Sequence, residues 1–157
     1  MDDLNSDWKE FLRLLVAHRV RFVVVGAHAV AANGRPRLTA DLDVFVDPTM
    51  ANAKRVLAAL EDFGFTDMGL TAARFARSDN VTMLGRVPFR IDILTGIDGV
   101  SFKKAWAGRL HGKLGKMRVA FLGRTELLKN KLASGRPKDL ADVALLNEGT
   151  KRQKRAR

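Results

Sequence analysis

A mixed α/β (α+β) domain is what this sequence predicts, a mixed sheet flanked by helices with a helical C-terminal part. Three observations predict it. Short β-branched runs, Phe22-Val23-Val24-Val25 and Val44-Phe45-Val46, alternate with amphipathic stretches of helical period. Glycine or proline stands at most of the boundaries between them. After Leu122 only helical patterns follow. At 157 residues, 46% hydrophobic and 29% charged, the chain suits one domain with a proper core and is too short for two.

The elements follow in order. From about Ser6 to His18 the apolar positions Trp8, Phe11, Leu12, Leu14, Leu15 and Val16 make a helical stripe, with Ser6 or Asp7 as its cap. Arg21 to Val25 is a short buried strand, broken by Gly26. Ala27 to Ala32 then reads as a small helix closed by Asn33-Gly34. Arg35-Pro36-Arg37 is loop, because a proline disfavours helical geometry in the residue before it. Leu42 to Val46 is the second strand, and Thr49 caps a long helix that runs to about Phe63.

Phe65 to Ser78 supports only a short extended piece and a partial helix. Asn80–Leu84 and Val87–Leu94 predict a strand pair joined at Gly85-Arg86. Val100 to Leu110 predicts a helix carrying Phe102 and Trp106, and Met117 to Leu122 a further strand. Helices over Arg124–Ala133 and Pro137–Asn147 complete the domain, with Pro137 in a tolerated first-turn position. Residues 1–150 thus form one domain, and 151–157 a tail expected to be disordered.

The net charge is +11, and the last seven residues hold five basic and no acidic side chains, leaving +6 on residues 1–150. Such a tail can attract nucleic-acid phosphates or merely solubilise the chain. No apolar run approaches the roughly 18 residues of a membrane span. The acidic N-terminus lacks the pattern of a signal peptide, and the absence of cysteine excludes disulfides, zinc thiolates and a thiol nucleophile. A cytoplasmic protein without a membrane partner is the expectation.

Chemistry concentrates around the first two strands. In extended backbone, residues i and i+2 share a face, so Asp41 and Asp43 project together while Leu42, Val44 and Val46 face the interior. Paired carboxylates repel unless a cation lies between them, and their hard oxygens suit Mg²⁺. Gly26, turning a strand into a helix, offers backbone N–H groups to phosphate. A third carboxylate, Asp92, alternates with Phe89, Ile91 and Ile93 in a later strand. Were that strand to pair beside Leu42–Val46, three carboxylates would converge.

Taken in order, Gly26, Asp41-Leu42-Asp43 and Asp92 resemble the pattern of the nucleotidyltransferase superfamily that includes DNA polymerase beta. Closer still is the resemblance to a bacterial branch related to AbiEii-type toxins. It is carried by Gly26-x-x-Ala29, Arg35-Pro36-Arg37-x-Thr39-x-Asp41-x-Asp43, Arg90-Ile91-Asp92 and Lys131-x-x-x-Gly135-Arg136-x-Lys138-Asp139-x-x-Asp142. These segments span Phe22 to about Leu146.

The resemblance implies a nucleotidyltransferase-like fold and a Mg²⁺-dependent transfer of a nucleoside monophosphate from an NTP to a hydroxyl on RNA, tRNA, protein or a small molecule. Asp41, Asp43 and Asp92 would be the catalytic, metal-holding carboxylates. Gly26, Ala27, His28, Arg37, Thr39, Lys131 and Asp139 would form the nucleotide site, with Asp142 orienting Lys131 or Arg136. It also implies a toxin–antitoxin or defence role, with an antitoxin or a second copy as partner. Beside this, His28 reads as a helix-packing histidine rather than a general base. Arg35 and Arg37 either hold phosphate or solvate their loop, and Thr39 either orients the carboxylates or starts the strand. Lys131, Asp139 and Asp142 can equally be salt bridges at a helix start. Ala27 stands where the general motif has serine or glycine, so no hydroxyl is offered there. The rival function is a non-catalytic module of the same fold that binds RNA or a protein.

Overall fold

The computed structural model describes residues 4–35, 39–66, 68–86 and 89–156. Helix α1 (Ser6–Ala17) is capped by Asn5, one residue ahead of the expected cap, whose side chain accepts from the N–H of Asp7 and Trp8. Strand β1 (Phe22–Val25) runs into α2 (Gly26–Ala32), and β2 (Asp41–Val46) into α3 (Met50–Phe63), capped as expected by the Thr49 hydroxyl. Among its described residues the ambiguous stretch from Phe65 to Ser78 forms only the one-turn α4 (Ala72–Ala76). Strands β3 (Val81–Leu84) and β4 (Arg90–Leu94) are the antiparallel pair.

The next segment departs from expectation. Helix α5 spans only Phe102–Ala107, ending at Gly108, and Leu110–Leu114 forms an edge strand, β5, hairpinned to β6 (Met117–Phe121) through Gly115 at φ +60°. Leu-His-Gly-Lys-Leu has too few apolar residues to announce a strand. Its backbone is recruited by pairing with β6 rather than by burial. Helices α6 (Arg124–Ser134) and α7 (Pro137–Ala156) close the chain. The basic segment expected to be disordered continues α7 as far as Ala156, an uninterrupted run of helix formers with no glycine or proline after Gly149.

The sheet order is β3-β4-β2-β1-β6-β5. β2 is antiparallel to β1 and parallel to β4, and β1 is parallel to β6. Side-chain alternation sends Phe22, Val24, Leu42, Val44, Val46, Ile91 and Ile93 to one core with α1, α3 and α4. The opposite face contributes Val23, Val25 and Phe45 to a second core with α2, α5, α6 and α7. The result is the expected mixed α/β architecture, a mixed sheet between two helical layers. Phe89, expected to point inward with Ile91 and Ile93, lies outside β4 and is half-exposed, its ring edge-on to Trp8. No helix among the described residues is long and apolar enough to cross a membrane.

Candidate functional site

Strand pairing brings the three carboxylates together. β2 and β4 lie side by side with Asp43 in register with Asp92 and Asp41 in register with Arg90. Because i and i+2 share a face, all four side chains stand on the second face of the sheet. Leu42, Val44, Ile91 and Ile93 anchor the two strands from below. The apolar underside holds the register, since a one-residue slip would bury the aspartates.

Arg90 was not singled out from the sequence, yet it is central. Its Nη2 donates to Asp41 Oδ2 at 3.2 Å and to Asp92 Oδ2 at 3.1 Å, and its Nε lies 3.1 Å from Asp92 Oδ1. That last contact is close but out of hydrogen-bond alignment, for Arg90 Nε, Asp92 Oδ1 and Asp41 Oδ1 are all buried atoms without a hydrogen-bond partner. The signal for Arg90 was available: it stands two residues before Asp92, on the same face.

Asp43 is the unusual acid of the group. Burial, then the charge of Asp92, a hydrogen bond to Asp92 and the charge of Asp41 push it up to about 7, against the opposing pull of Arg90. Asp43 therefore keeps its proton toward neutral pH, hydrogen-bonded to Asp92. Arg90 in turn is raised by the charge of Asp92, its hydrogen bond to Asp92 and the charge of Asp41.

Gly26 abuts this pair. Its φ of +68° favours glycine, and a Cβ there would collide with Asp43 Oδ2. Both features require glycine at the turn from β1 into α2. α2 starts with no side-chain cap.

The carboxylates form the floor of a cleft with two lobes. The larger, about 530 Å³, is lined by Gly26, Asp43, Asp92, Lys131 and Arg136 among others, with Val81 on its outer side. The smaller, about 160 Å³, takes in Ala27, Thr39, Asp41 and Lys138. Gly26, Asp43, Lys131, Arg136 and Asp139 line both lobes. Another depression, of about 440 Å³, lies far from the carboxylates on the β5–β6 hairpin.

The wall opposite the carboxylates comes from the α6–α7 junction. Lys131 Nζ lies 3.2 Å from Asp139 Oδ1 and 3.1 Å from Asp142 Oδ2, all three side chains being buried. Burial pushes Asp139 up, but hydrogen bonds from Ser134, Arg136 and Lys131 and the charge of Lys131 outweigh it and hold the group at about 2. Ser134 Oγ donates at 2.6 Å and Arg136 Nε at 2.7 Å. The Lys131 charge is therefore spent inside the protein, pinning α6 to α7. Arg136, largely exposed, and Lys138 are the cations that face the opening. Neither Ser134 nor Lys138 was picked out as a site residue: Lys138 belongs to the quoted lysine motif without a role of its own, and Ser134 falls at one of its unspecified positions.

The remaining sequence candidates divide. Thr39 Oγ1 accepts from Asp41 N–H and donates to Asp41 O, both at 3.2 Å, so it starts the strand while lining the smaller lobe. Ala27 lines that lobe through a methyl group. His28 lines neither lobe. Two residues past Gly26 on a helix, it packs edge-on against Trp8 at 5.3 Å, and burial holds its imidazole below the usual value. Arg35 donates to the Leu145 carbonyl and pairs with Glu148, tying its loop to α7 rather than to the cleft. Arg37 lies outside the described residues.

No group of three His, Cys, Asp or Glu side chains stands ready to hold a metal ion among the described residues. Arg90 bridges Asp41 and Asp92 and supplies the positive charge there. The donor set nevertheless fits a hard cation. It offers three carboxylates on one face, with a buried oxygen on Asp41 and another on Asp92 that accept no hydrogen bond. Compared with protein-family models the chain matches none, and no curated protein matches it.

Proposed function

We propose that the cleft binds an NTP with Mg²⁺ and transfers its nucleoside monophosphate to a hydroxyl acceptor. The observation that carries this is the in-register Asp43–Asp92 pair beside Asp41, with Gly26 packed against Asp43. Asp41, Asp43 and Asp92 would hold the metal, which when bound neutralises phosphate charge and polarises the reacting centre. Gly26, lacking a Cβ, makes room for the Asp43 carboxylate at the floor of the cleft. Arg136 and Lys138 draw the polyphosphate from the opposite wall. Asp92 Oδ1, buried without a hydrogen-bond partner, takes the proton from the acceptor hydroxyl. The acceptor's own oxygen then bonds to the α-phosphorus, the bond from that phosphorus to the oxygen bridging to the β-phosphate breaks, and pyrophosphate leaves. Positioning and charge compensation supply the acceleration.

The experiment is incubation with Mg²⁺ and each of four labelled NTPs in the presence of RNA, with label transfer as the readout. Asp41→Asn with Asp43→Asn should abolish transfer while the thermal melt stays cooperative. If wild type neither binds nor transfers any of the four nucleotides, there is no such enzyme here.

A second reading has one observation in its favour: Arg90 already satisfies Asp41 and Asp92 without a metal. On that reading the chain is a non-catalytic module that binds RNA or a protein. Calorimetric titration with Mg²⁺ and a non-hydrolysable NTP separates the two, since only the enzyme takes up both.

A further inference from the structure

The segment from Gly99 to Thr125 holds seven Lys and Arg residues and no Asp or Glu. It builds α5 and the β5–β6 hairpin, at the sheet edge farthest from β3. Lys103, Lys104, Lys113, Lys116 and Arg118 are exposed, and none of them forms an ion pair among the described residues. This is a concentrated field of unpaired charge, separate from the acidic cleft.

Its placement is directional. Val119 and Phe121 point into the core of α1 and α3, so Arg118 and Ala120 face the other way. Lys113 stands directly across from Arg118, and His111 across from Ala120. Those residues therefore share the side of the sheet on which α5 lies. Like charges directly across a strand pair destabilise it. Such an arrangement is relieved by an anion lying over both.

The same face carries the depression of about 440 Å³, lined by His111, Gly112, Lys113, Arg118, Val119 and Ala120. Ala120, on the same face as His111, Lys113 and Arg118, gives a small apolar floor beside the imidazole, rimmed by cations. A shallow apolar seat with flanking cations matches an unstacked base with its phosphate, not the regular backbone of a duplex.

We propose that the α5 and β5–β6 face is a docking surface for single-stranded RNA. Bound there, the strand is held about 10–15 Å from β2, two to three strand spacings across the sheet. A few nucleotides bridge that span, so an RNA end with its free hydroxyls reaches the cleft. The acceptor role rests on the transfer reading above, whereas the docking does not.

The test measures anisotropy of a short fluorescein-labelled single-stranded RNA with the full chain. The proteins compared are wild type, Lys113→Gln/Lys116→Gln/Arg118→Gln, a chain ending at Thr150, and Asp41→Asn/Asp43→Asn. The triple variant is expected to bind about tenfold more weakly or worse and to flatten the slope of log K against log salt by about 2, at about 0.7 per phosphate contact. The corresponding Arg variant at Lys113 and Lys116 should bind as wild type does. The shortened chain and the aspartate variant should keep the hairpin-dependent binding. The inference is overturned if the triple variant binds RNA as wild type does, if only the shortened chain loses binding, or if duplex RNA, polyglutamate or phosphatidylserine vesicles compete as well as the single strand. Retained RNA binding without nucleotide transfer would overturn the enzyme alone.

Discussion

Replacing Gly26 by alanine probes the contact on which the cleft is built. Two costs arise, and the structure separates them. A residue with a Cβ held at φ +68° costs about 1–2 kcal/mol in backbone strain. The new Cβ also collides with Asp43 Oδ2 and comes within 3.2 Å of Asp43 Cγ. Asp43 must rotate away and release Asp92, at roughly 0.5–1.5 kcal/mol for the displaced rotamer alone. Gly26→Ala should therefore destabilise by about 1.5–3.5 kcal/mol in total. At about 2–4 °C per kcal/mol for a chain of this size, the melting temperature falls by roughly 3–14 °C.

A double-mutant cycle isolates the second cost. In Asp43→Ala the colliding oxygen is gone, and only the Asp43 Cβ remains, 3.3 Å from the new methyl. The alanine at 26 should then cost little beyond backbone strain, giving a coupling of about 1 kcal/mol or more between the sites. Thermal melts of the four proteins by circular dichroism measure it. An equal cost of Gly26→Ala in both backgrounds would refute the idea that Asp43 dictates the glycine.

Four further outcomes are expected. Asp43 keeps its proton to about pH 7 when folded, against an ordinary 3.8, so the folded state binds more protons between those values and stability falls as pH rises through that window. The melting-temperature advantage of Asp43→Asn should accordingly widen from pH 4 to about pH 7 and level off above, and a flat difference would contradict the proton held on Asp43. Asp139 behaves oppositely: held at about 2, it stabilises above pH 3.8, and that contribution is lost as pH falls toward 2. Lys131→Met removes the buried cation between Asp139 and Asp142 and should cost about 3–5 kcal/mol in chemical denaturation, the usual penalty for breaking a buried ion pair. A loss of nucleotide binding without loss of stability would instead assign Lys131 to the ligand. Arg90→Gln removes the cation that competes for Asp41 and Asp92, so calorimetry should find Mn²⁺ bound more tightly than by wild type. Equal affinities would mean that Arg90 does not occupy the metal's place.

Much of the secondary structure was legible in the chain. Thr49 capped its helix, Gly26 broke its strand, and the alternation of Leu42, Val44 and Val46 with Asp41 and Asp43 placed each set on its own face. These features are local, encoded in periods of 2 and 3.6 residues and in the special conformations of glycine and of capping hydroxyls. Strand β5 was not legible, because its backbone is recruited by β6 and its side chains remain largely exposed.

What only the tertiary structure decided is which side chains meet. Arg90 is 49 residues from Asp41, and no local pattern says that their strands lie parallel and in register. Lys131 carried a positive charge suited to phosphate in the sequence, but its burial between Asp139 and Asp142 spends that charge internally and leaves the opening to Arg136 and Lys138. His28, beside Gly26 in the chain, was turned by the helix toward Trp8 and out of the cleft. Sequence determines which groups carry chemistry, because ionisation and hydrogen-bonding capacity belong to residue types. Charge compensation and burial depend on distance in space, and only the packed sheet and helices set those distances.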